Sequence, residues 1–285
     1  MIKVLKPGFF TTIQDKGRFG FAAIGVPVSG SMDGYSADMA NSILNNSLEA
    51  AVVEIIFGGC EFQFLGATFI CISGGDFSPK INKKLIKLNK KIRVFKDDIL
   101  SFGKINFGAK TYLAVLGGIQ TEEKLRSRSF YKGITKNFVL TKGLEIPILE
   151  HVNDVGISNA SIKIDALHFN TTGITCTKGP EFELLNAQQQ KLLFENLFSI
   201  SKDASRMGYR LNEVVENDLP ALLTSSVLPV TVQLTPSGTL IILMRDCQVT
   251  GGYPRILQLS DKAIHILSQK SAGQKVNFLI PSYLS

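Results

Sequence analysis

Gln14, Asp15 and Arg18 form the first group of side chains that could do chemistry, with an amide, a carboxylate and a guanidinium close together. They lie within residues 11–46, where a loop rich in glycine and proline follows and the backbone must bend sharply. Asp15 and Arg18 can pair with each other in a turn, or they can jointly hold an amide or carboxylate ligand. We therefore keep both a structural and a binding role for this group.

A second candidate, Asp33, precedes a predicted helix. It ends the sequence GSMD (30–33), and apolar residues recur at helical spacing over residues 35–44. Asp33 or Ser31 can cap this helix, and because aspartate is a favoured N-cap residue, Asp33 either starts the helix or supplies a carboxylate for catalysis or substrate binding.

Two arginines four residues apart, Arg206 and Arg210, flank Tyr209 in a third cluster. Their guanidinium groups would converge if the segment turned, and such forks bind carboxylate, phosphate or bicarbonate through paired hydrogen bonds. The alternative is an exposed basic loop without a ligand.

The fourth cluster runs from Gln248 to Arg255. Gly251 and Gly252 allow a ligand to approach the backbone closely, while Tyr253 and Arg255 supply an aromatic ring and a cation. A simple hairpin turn would explain the same glycines. We expect this cluster and the third one to face the loop of residues 11–46 across a cleft.

Composition narrows the class of protein. The chain has 285 residues, of which 45% are hydrophobic, enough for two domains. Its start, MIKVLKPGFF, does not resemble a signal peptide, and its apolar runs are too short to span a bilayer. We therefore expect a cytoplasmic protein that does not bind membranes.

Metal and phosphate motifs are missing from the sequence. The phosphate-binding pattern GxxxxGK[ST], the patterns GxSxG and HExxH and a biotin-bearing Met-Lys-Met do not occur. The cysteines and histidines do not cluster, so we expect no metal site, with buried or free thiols and surface imidazoles. These residues are Cys60, Cys71, Cys176, Cys247, His151, His168 and His265.

Much of the net charge of +7 lies in the lysine-rich residues 80–96. Nucleic-acid binding is one interpretation, but aromatic residues do not alternate with the lysines as a platform for single strands requires. We favour a β-hairpin with a basic solvent face and turns at 82–83 and 89–90.

Short β-branched and aromatic runs closed by glycine pairs predict strands at 50–57, 67–73 and 111–116, and no βαβ alternation is visible. Only two convincing helices are predicted, at 33–44 and at 186–198. The expected fold is mainly β, with a junction near 150–170 that we place between residues 160 and 161.

The clusters above occur together in a known family. The chain resembles the allophanate hydrolase subunit 2 and biotin-dependent carboxyltransferase-like family, which includes the C subunit of 5-oxoprolinase and an antagonist of a sporulation-kinase inhibitor. The resemblance spans nearly the whole chain and rests on TTIQDKGRFG (11–20), GVPVSGSMD (25–33), AN (40–41), EIIFGG (54–59), YLAVLGG (112–118), SRS (127–129), SRMGYRL (205–211), VQLTPSG (232–238) and QVTGGYPRI (248–256).

This resemblance implies a fold and partners. It implies two tandem cyclophilin-like β-barrel domains with a few short helices, at 1–160 and 161–285, and a heteromer with a subunit-1-like protein, the B subunit of 5-oxoprolinase. Of the family's activities we expect ATP-dependent opening of 5-oxoproline to glutamate, together with the A and B subunits. The alternatives are carboxyl transfer from carboxybiotin, carried by a partner, to urea, and regulation by antagonising a kinase inhibitor. This chain itself is expected to bind no cofactor.

The resemblance also suggests roles for individual residues. Arg206 and Arg210 would neutralise anionic charge, Gln14 and Gln248 would hydrogen-bond an amide, and Asp15 or Asp33 would assist proton transfer. We assign catalysis to Asp15, Arg206 and Arg210, and binding of a small amide or carboxylate substrate to Gln14, Arg18, Asp33, Ser127, Arg128, Tyr209, Gln248, Tyr253 and Arg255.

Three departures from the family pattern lie near the expected cleft, and one of them is that the region after Ser129 lacks the glycine-rich run common in relatives. Cys247 stands where many relatives have an arginine, and Thr235 stands where a proline is expected. They bear on the identity of the substrate rather than on the fold.

Overall fold

A computed structural model describes residues 1–149 and 165–281 of the chain. The chain divides into two units: unit 1 comprises Met1–Arg18 and Ser29–Asp165, and unit 2 comprises Phe19–Val28 and Ala166–Ser285. The predicted junction between residues 160 and 161 lies outside the described residues and stays a prediction, as does the environment of His151.

Unit 1 contains two antiparallel sheets and one helix, α1 (Gly34–Ile43). Its strands are β1 (Ile2–Pro7), β2 (Phe10–Gln14), β3 (Val52–Ile56), β4 (Cys60–Phe64), β5 (Thr68–Asp76), β6 (Lys80–Ile81), β7 (Lys84–Leu85), β8 (Ile92–Val94), β9 (Ile99–Ser101), β10 (Phe107–Val115) and β11 (Glu145–Ile146). The first sheet has the order β11-β1-β4-β9-β6-β7 and the second has the order β2-β3-β10-β5-β8.

The second sheet of unit 1 is buried on both faces, which explains its nearly continuous apolar strands. Along β10, Leu113 and Val115 join a core with residues of the first sheet, while Tyr112 and Ala114 pack on the opposite side with α1. Side chains alternate between the faces of a strand, so one strand serves both cores.

Unit 2 contains a seven-stranded sheet, a two-stranded sheet and three α-helices among its described residues. The helices are α2 (Leu167–Asn170), α3 (Ala187–Glu195) and α4 (Asp261–Ser268). The strands are β12 (Gly173–Lys178), β13 (Phe198–Ser199), β14 (Gly208–Val214), β15 (Ser225–Ser226), β16 (Thr231–Leu234), β17 (Thr239–Leu243), β18 (Thr250–Gly251), β19 (Arg255–Leu259) and β20 (Lys275–Leu279).

The large sheet of unit 2 has the order β13-β20-β12-β19-β16-β17-β14, and β12 pairs with β20 in parallel. Helix α4 packs against β12 and buries Ile264 and Leu267, while α3 packs against β20. Short 3₁₀ helices occur at Ala22–Ile24 and Phe182–Leu184.

The predicted fold class is confirmed. The chain is mostly β, with a nearly closed barrel sheet and four short α-helices in the described part of the chain. The basic segment 80–96 contains the predicted hairpin: β6 pairs with β7, and Asn82 and Lys83 form the turn with positive φ. Helix α1 also begins where predicted, with Asp33 as its N-cap.

The prediction of only two helices was wrong. Helix α4 was not predicted, because eight residues are too few for apolar periodicity to distinguish a helix from a strand. The second predicted helix ends early: α3 stops at Glu195, and Phe198 instead lies in β13, where its ring packs 5.5 Å from that of Phe278.

A glycine pair expected to end a strand lies inside it. Strand β5 continues through Gly74 and Gly75 to Asp76, and the pairing register with β10 shifts nearby. A Cβ on Gly74 would lie 2.8 Å from the carbonyl oxygen of Lys110, so glycine permits the close approach of the two strands here.

The four cysteines are free and buried, as expected. His168 is a correction to the expected surface imidazoles, because only 7% of this residue is exposed and its ring packs 5.0 Å from that of Phe169. Among residues 1–149 and 165–281, no helix is long and apolar enough to cross a membrane.

Candidate functional site

In unit 1, the carboxylate of Asp15 accepts several of the hydrogen bonds that connect the first cluster to the rest of the chain. Its Oδ1 accepts hydrogen bonds from the backbone N–H of Gly17 at 2.8 Å and from the hydroxyls of Ser127 and Ser129 at 2.6 Å each. Its Oδ2 accepts the backbone N–H of Arg128 at 2.5 Å. The carboxylate therefore joins the end of β2 to the SRS loop (127–129), and two of the predicted site segments meet here.

Gln14 is fully buried and uses both ends of its amide within unit 1. Its Nε2 donates to the Thr12 hydroxyl at 3.0 Å and to the Phe130 carbonyl at 3.4 Å. Its Oε1 accepts the backbone N–H of Gly30 at 3.1 Å. The side chain predicted to bind an amide substrate thus binds its own backbone in this structure.

Arg18 and Asp33 are also buried. The Arg18 guanidinium donates to the carbonyl oxygen of Ser129. Asp33 accepts the backbone N–H of Ser36 at 3.1 Å and its hydroxyl at 2.6 Å, which is the geometry of an N-cap. These hydrogen bonds of two predicted binding residues stabilise the backbone of unit 1.

A buried carboxylate that sequence reasoning missed, Glu54, lies beside this cap. Its Oε2 accepts the backbone N–H of Met32 at 2.8 Å and the hydroxyl of Tyr112 at 2.9 Å, and that hydroxyl accepts the N–H of Asp33 at 2.8 Å. Burial, followed by the charges of Glu54 and Asp33, raises the pKa of Tyr112 well above its ordinary value of 10.0. A single glutamate inside the apolar run AAVVEIIF was the available signal.

A cavity of about 180 Å³ in unit 1 is lined by the turn at Gly117 and Gly118 and by Arg126 and Arg128. Asp15, Gly17, Glu49, Gln120 and Glu123 also contribute to its wall. The cavity thus brings two residues of the predicted site, Asp15 and Arg128, together with an arginine that sequence reasoning did not select.

The third cluster, in unit 2, places its two arginines in different environments. Arg206 is 8% exposed, and its guanidinium pairs with Asp246 through Nε to Oδ2 at 2.7 Å and Nη2 to Oδ1 at 3.1 Å. Arg210 is exposed on β14, whereas Tyr209 beside it is buried. The sequence alone did not indicate that Asp246 compensates the charge of Arg206.

Arg255, in the fourth cluster, forms a paired ion bridge with Glu181 in unit 2. Its Nε lies 2.9 Å from Oε2 and its Nη2 lies 2.7 Å from Oε1, while Nη1 donates to the Ser226 carbonyl at 3.0 Å. The hydrogen bond from Arg255 lowers the pKa of Glu181, and the same bond raises the pKa of Arg255. Gln248 and Tyr253 remain exposed.

Gly251 allows close approach, although the group that approaches belongs to the same chain. A Cβ at this position would lie 2.6 Å from the Nε2 of Gln233.

Cys247 is buried in a small apolar cluster, and burial, followed by the charge of Asp246, raises the pKa of its thiol to about 12. This thiol therefore stays protonated at neutral pH and is a poor nucleophile. The expected cleft that would join the clusters stays a prediction.

The fold and these clusters define a class of protein. Residues 24–280 match the model of the carboxyltransferase domain, subdomains A and B, and the chain belongs to this family. The family prediction is thereby confirmed.

Particular relatives narrow the comparison. The chain is 28% identical to the 5-oxoprolinase C subunit of Escherichia coli, over 98% of this chain and 91% of that protein. It is 31% identical to urea amidolyase of Lachancea kluyveri, over 73% of this chain and only 12% of that protein. The structure of K. lactis urea amidolyase matches with a TM-score of 0.85 and 25% identity, covering 99% of this chain and 19% of that chain.

Proposed function

We propose that this chain is the C subunit of an ATP-dependent 5-oxoprolinase, which opens 5-oxoproline to glutamate together with its A and B subunits. The observation that carries the proposal is the near-complete alignment with one relative, which covers 98% of this chain and 91% of the Escherichia coli C subunit, whereas the alignment with a urea amidolyase covers 73% of this chain and 12% of that protein.

The reaction places defined demands on the protein. Water adds across the lactam C–N bond, so the carbonyl carbon becomes a carboxylate and the ring nitrogen takes up protons, while ATP hydrolysis drives the opening. Negative charge develops on the amide oxygen and needs positioned donors or cations. We assign charge neutralisation to Arg210, whose side chain is exposed on β14, with Gln248 and Tyr253 as exposed binding groups.

The buried residues of the predicted site fit a supporting role within this proposal. The charge of Arg206 is compensated by Asp246, and Asp15 accepts hydrogen bonds on both of its carboxylate oxygens. We propose that they position neighbouring groups, the SRS loop for Asp15 and the start of β14 for Arg206. In this proposal the complex is cytoplasmic, its ATP is bound by the partner proteins, and this chain binds no cofactor.

Carboxyl transfer is the second candidate, favoured by the carboxyltransferase family model and by the likeness to urea amidolyase. In that case the chain would bring carboxybiotin, carried on a partner, to urea. The same exposed arginine would then neutralise the transferred carboxyl group.

Reconstitution tests the proposal. We expect the chain co-purified with the A and B subunits to release glutamate from 5-oxoproline only with ATP, and the chain alone to release none. The control replaces these partners with a biotin carboxylase, biotin carrier and urea. Glutamate release should fall at least about tenfold in Arg210→Ala, because one cation at the developing charge is worth that much or more. A folded complex that releases no glutamate would overturn the proposal.

A further inference from the structure

A strained turn carries Arg126 at the cavity of unit 1. Lys124 and Ser127 pair as an isolated bridge, with hydrogen bonds of 2.8 and 3.2 Å between their backbone groups. The two residues between them, Leu125 and Arg126, have φ of 52° and 60°. Positive φ at both central positions of a hairpin turn favours Asn-Gly, so a leucine and an arginine here are unusual. Backbone strain of this kind tends to collect at functional sites.

The segment that follows the turn is anchored by Asp15. Its carboxylate holds the Ser127 hydroxyl and the backbone N–H of Arg128. The guanidinium of Arg128 donates to the carbonyl of Thr121 and lies 3.7 Å from Glu123. Arg128 is therefore engaged within the protein, whereas the guanidinium of Arg126 has no hydrogen-bond or ion-pair partner among residues 1–149 and 165–281.

The remaining lining of the cavity offers both acceptor and donor chemistry. The Nε2 of Gln120 donates to the carbonyl of Gly117 at 2.8 Å, which leaves Oε1 as the acceptor of this amide. Glu49 adds a carboxylate, and Arg126 adds a cation. The volume of about 180 Å³ corresponds to several water molecules at about 30 Å³ each, which suits a small organic molecule.

We propose that this cavity binds a small carboxylate that also carries an N–H donor, with the carboxylate on Arg126 and the donor on Gln120 or Glu49. The inference rests on the proposed function in its choice of ligands, because 5-oxoproline and glutamate both have this chemistry. Arg126 is then the residue that selects for a carboxylate, through the paired hydrogen bonds of its guanidinium.

Titration calorimetry of the full chain, alone and with its partners, tests the inference with 5-oxoproline, L-glutamate and 2-pyrrolidinone, which lacks the carboxylate. We expect 5-oxoproline, L-glutamate or both to bind, and we expect no binding of 2-pyrrolidinone. Arg126→Ala should weaken binding at least about tenfold, and Arg126→Lys should restore part of it. The matched control is Lys124→Ala, which removes one positive charge from the same hairpin outside the cavity lining and should leave affinity within about twofold.

The ligand that binds more tightly identifies the role of the site. Tighter binding of 5-oxoproline indicates a substrate site, and tighter binding of glutamate indicates a product site. Equal affinity of Arg126→Ala and the unmodified chain would overturn the inference, as would the absence of binding in both the chain and the complex. A complex that turns over 5-oxoproline with a KM unaffected by Arg126→Ala defeats the inference alone. Carboxylate binding through Arg126 without any turnover defeats the proposed function alone.

Discussion

At the scale of single residues, the carboxylates of this chain chiefly hold the backbone in place. Asp15 accepts two backbone N–H groups and two hydroxyls, close to the roughly four lone-pair sites that a carboxylate offers. Glu54 similarly accepts the Tyr112 hydroxyl and a backbone N–H. Groups with their bonding capacity used in this way position a site more readily than they take a proton from substrate.

Replacing Asp15 by asparagine should loosen the SRS loop. The amide NH₂ would face donor groups whose hydrogen bonds the carboxylate now accepts. Leaving these donors without an acceptor should lower the free energy of local unfolding by about 1–3 kcal/mol. Hydrogen exchange should therefore speed up at the backbone amides of Gly17 and Arg128. Asp218→Asn, at an exposed aspartate, is the control and should leave exchange in this segment unchanged. Equal protection in both variants would contradict the anchoring role of Asp15.

The Glu181–Arg255 bridge predicts a pH dependence of stability. Because the pKa of Glu181 in the folded chain lies below its ordinary value of 4.5, the bridge stabilises the fold above pH 4.5. This contribution is lost as the pH falls below 4.5 and through the folded pKa. Glu181→Gln should therefore lose less stability than the unmodified chain between about pH 5 and pH 3, measured by urea unfolding at each pH.

The matched control for this bridge is Glu183→Gln. Glu183 forms an exposed pair with Lys178, and exposed pairs contribute only about 0–1 kcal/mol. Its variant should follow the pH profile of the unmodified chain. Identical profiles for Glu181→Gln and Glu183→Gln would show that the Glu181 bridge contributes no acid-sensitive stability.

At the scale of elements, the start of helix α1 connects several parts of unit 1. Asp33 caps the helix with its side chain, while its own N–H and that of Met32 reach Tyr112 and Glu54 on two strands of the second sheet. The helix therefore begins at a position set by the sheet as well as by its own cap.

Asp33→Ala should destabilise the fold by about 0.5–2 kcal/mol through the lost cap, because the freed N–H of Ser36 is buried. The midpoint of urea unfolding, followed by circular dichroism, measures this change. Ser260→Ala is the control, since Ser260 precedes α4 without a side-chain cap bond. A shift no larger than that of the control would exclude a stabilising cap at Asp33.

At the scale of the whole molecule, the extent of the match to each relative bears on the proposed function. It matches nearly all of a 5-oxoprolinase C subunit but a small part of the urea amidolyases. The proposed activity includes the A and B subunits, and the reconstitution described above belongs to this scale. The lysine-rich segment 80–96, which contains the β6–β7 hairpin, accounts for much of the net charge without contributing to the candidate site residues.

Local features of this protein could be predicted from its sequence. The mainly β composition, the Asp33 cap and the hairpin turn at Asn82 and Lys83 depend on neighbours within a few residues. Alternation, capping and turn preferences act over that range, so the sequence contains the necessary information. Helix α4 was missed because its pattern is too short to separate two local structures.

The partners of the site residues depended on the tertiary structure. Asp15 meets Ser127 across 112 residues of chain, Arg206 meets Asp246 across 40, and Tyr112 meets Glu54 across 58. A charged side chain looks equally available in a sequence whether or not a distant group compensates it, and burial makes such compensation necessary. The sequence by itself determined the family, the mainly β composition and the residue types of the site. Only the folded chain decided which arginines and carboxylates hold one another and that Arg126 lines a cavity, because these depend on contacts between residues far apart in sequence.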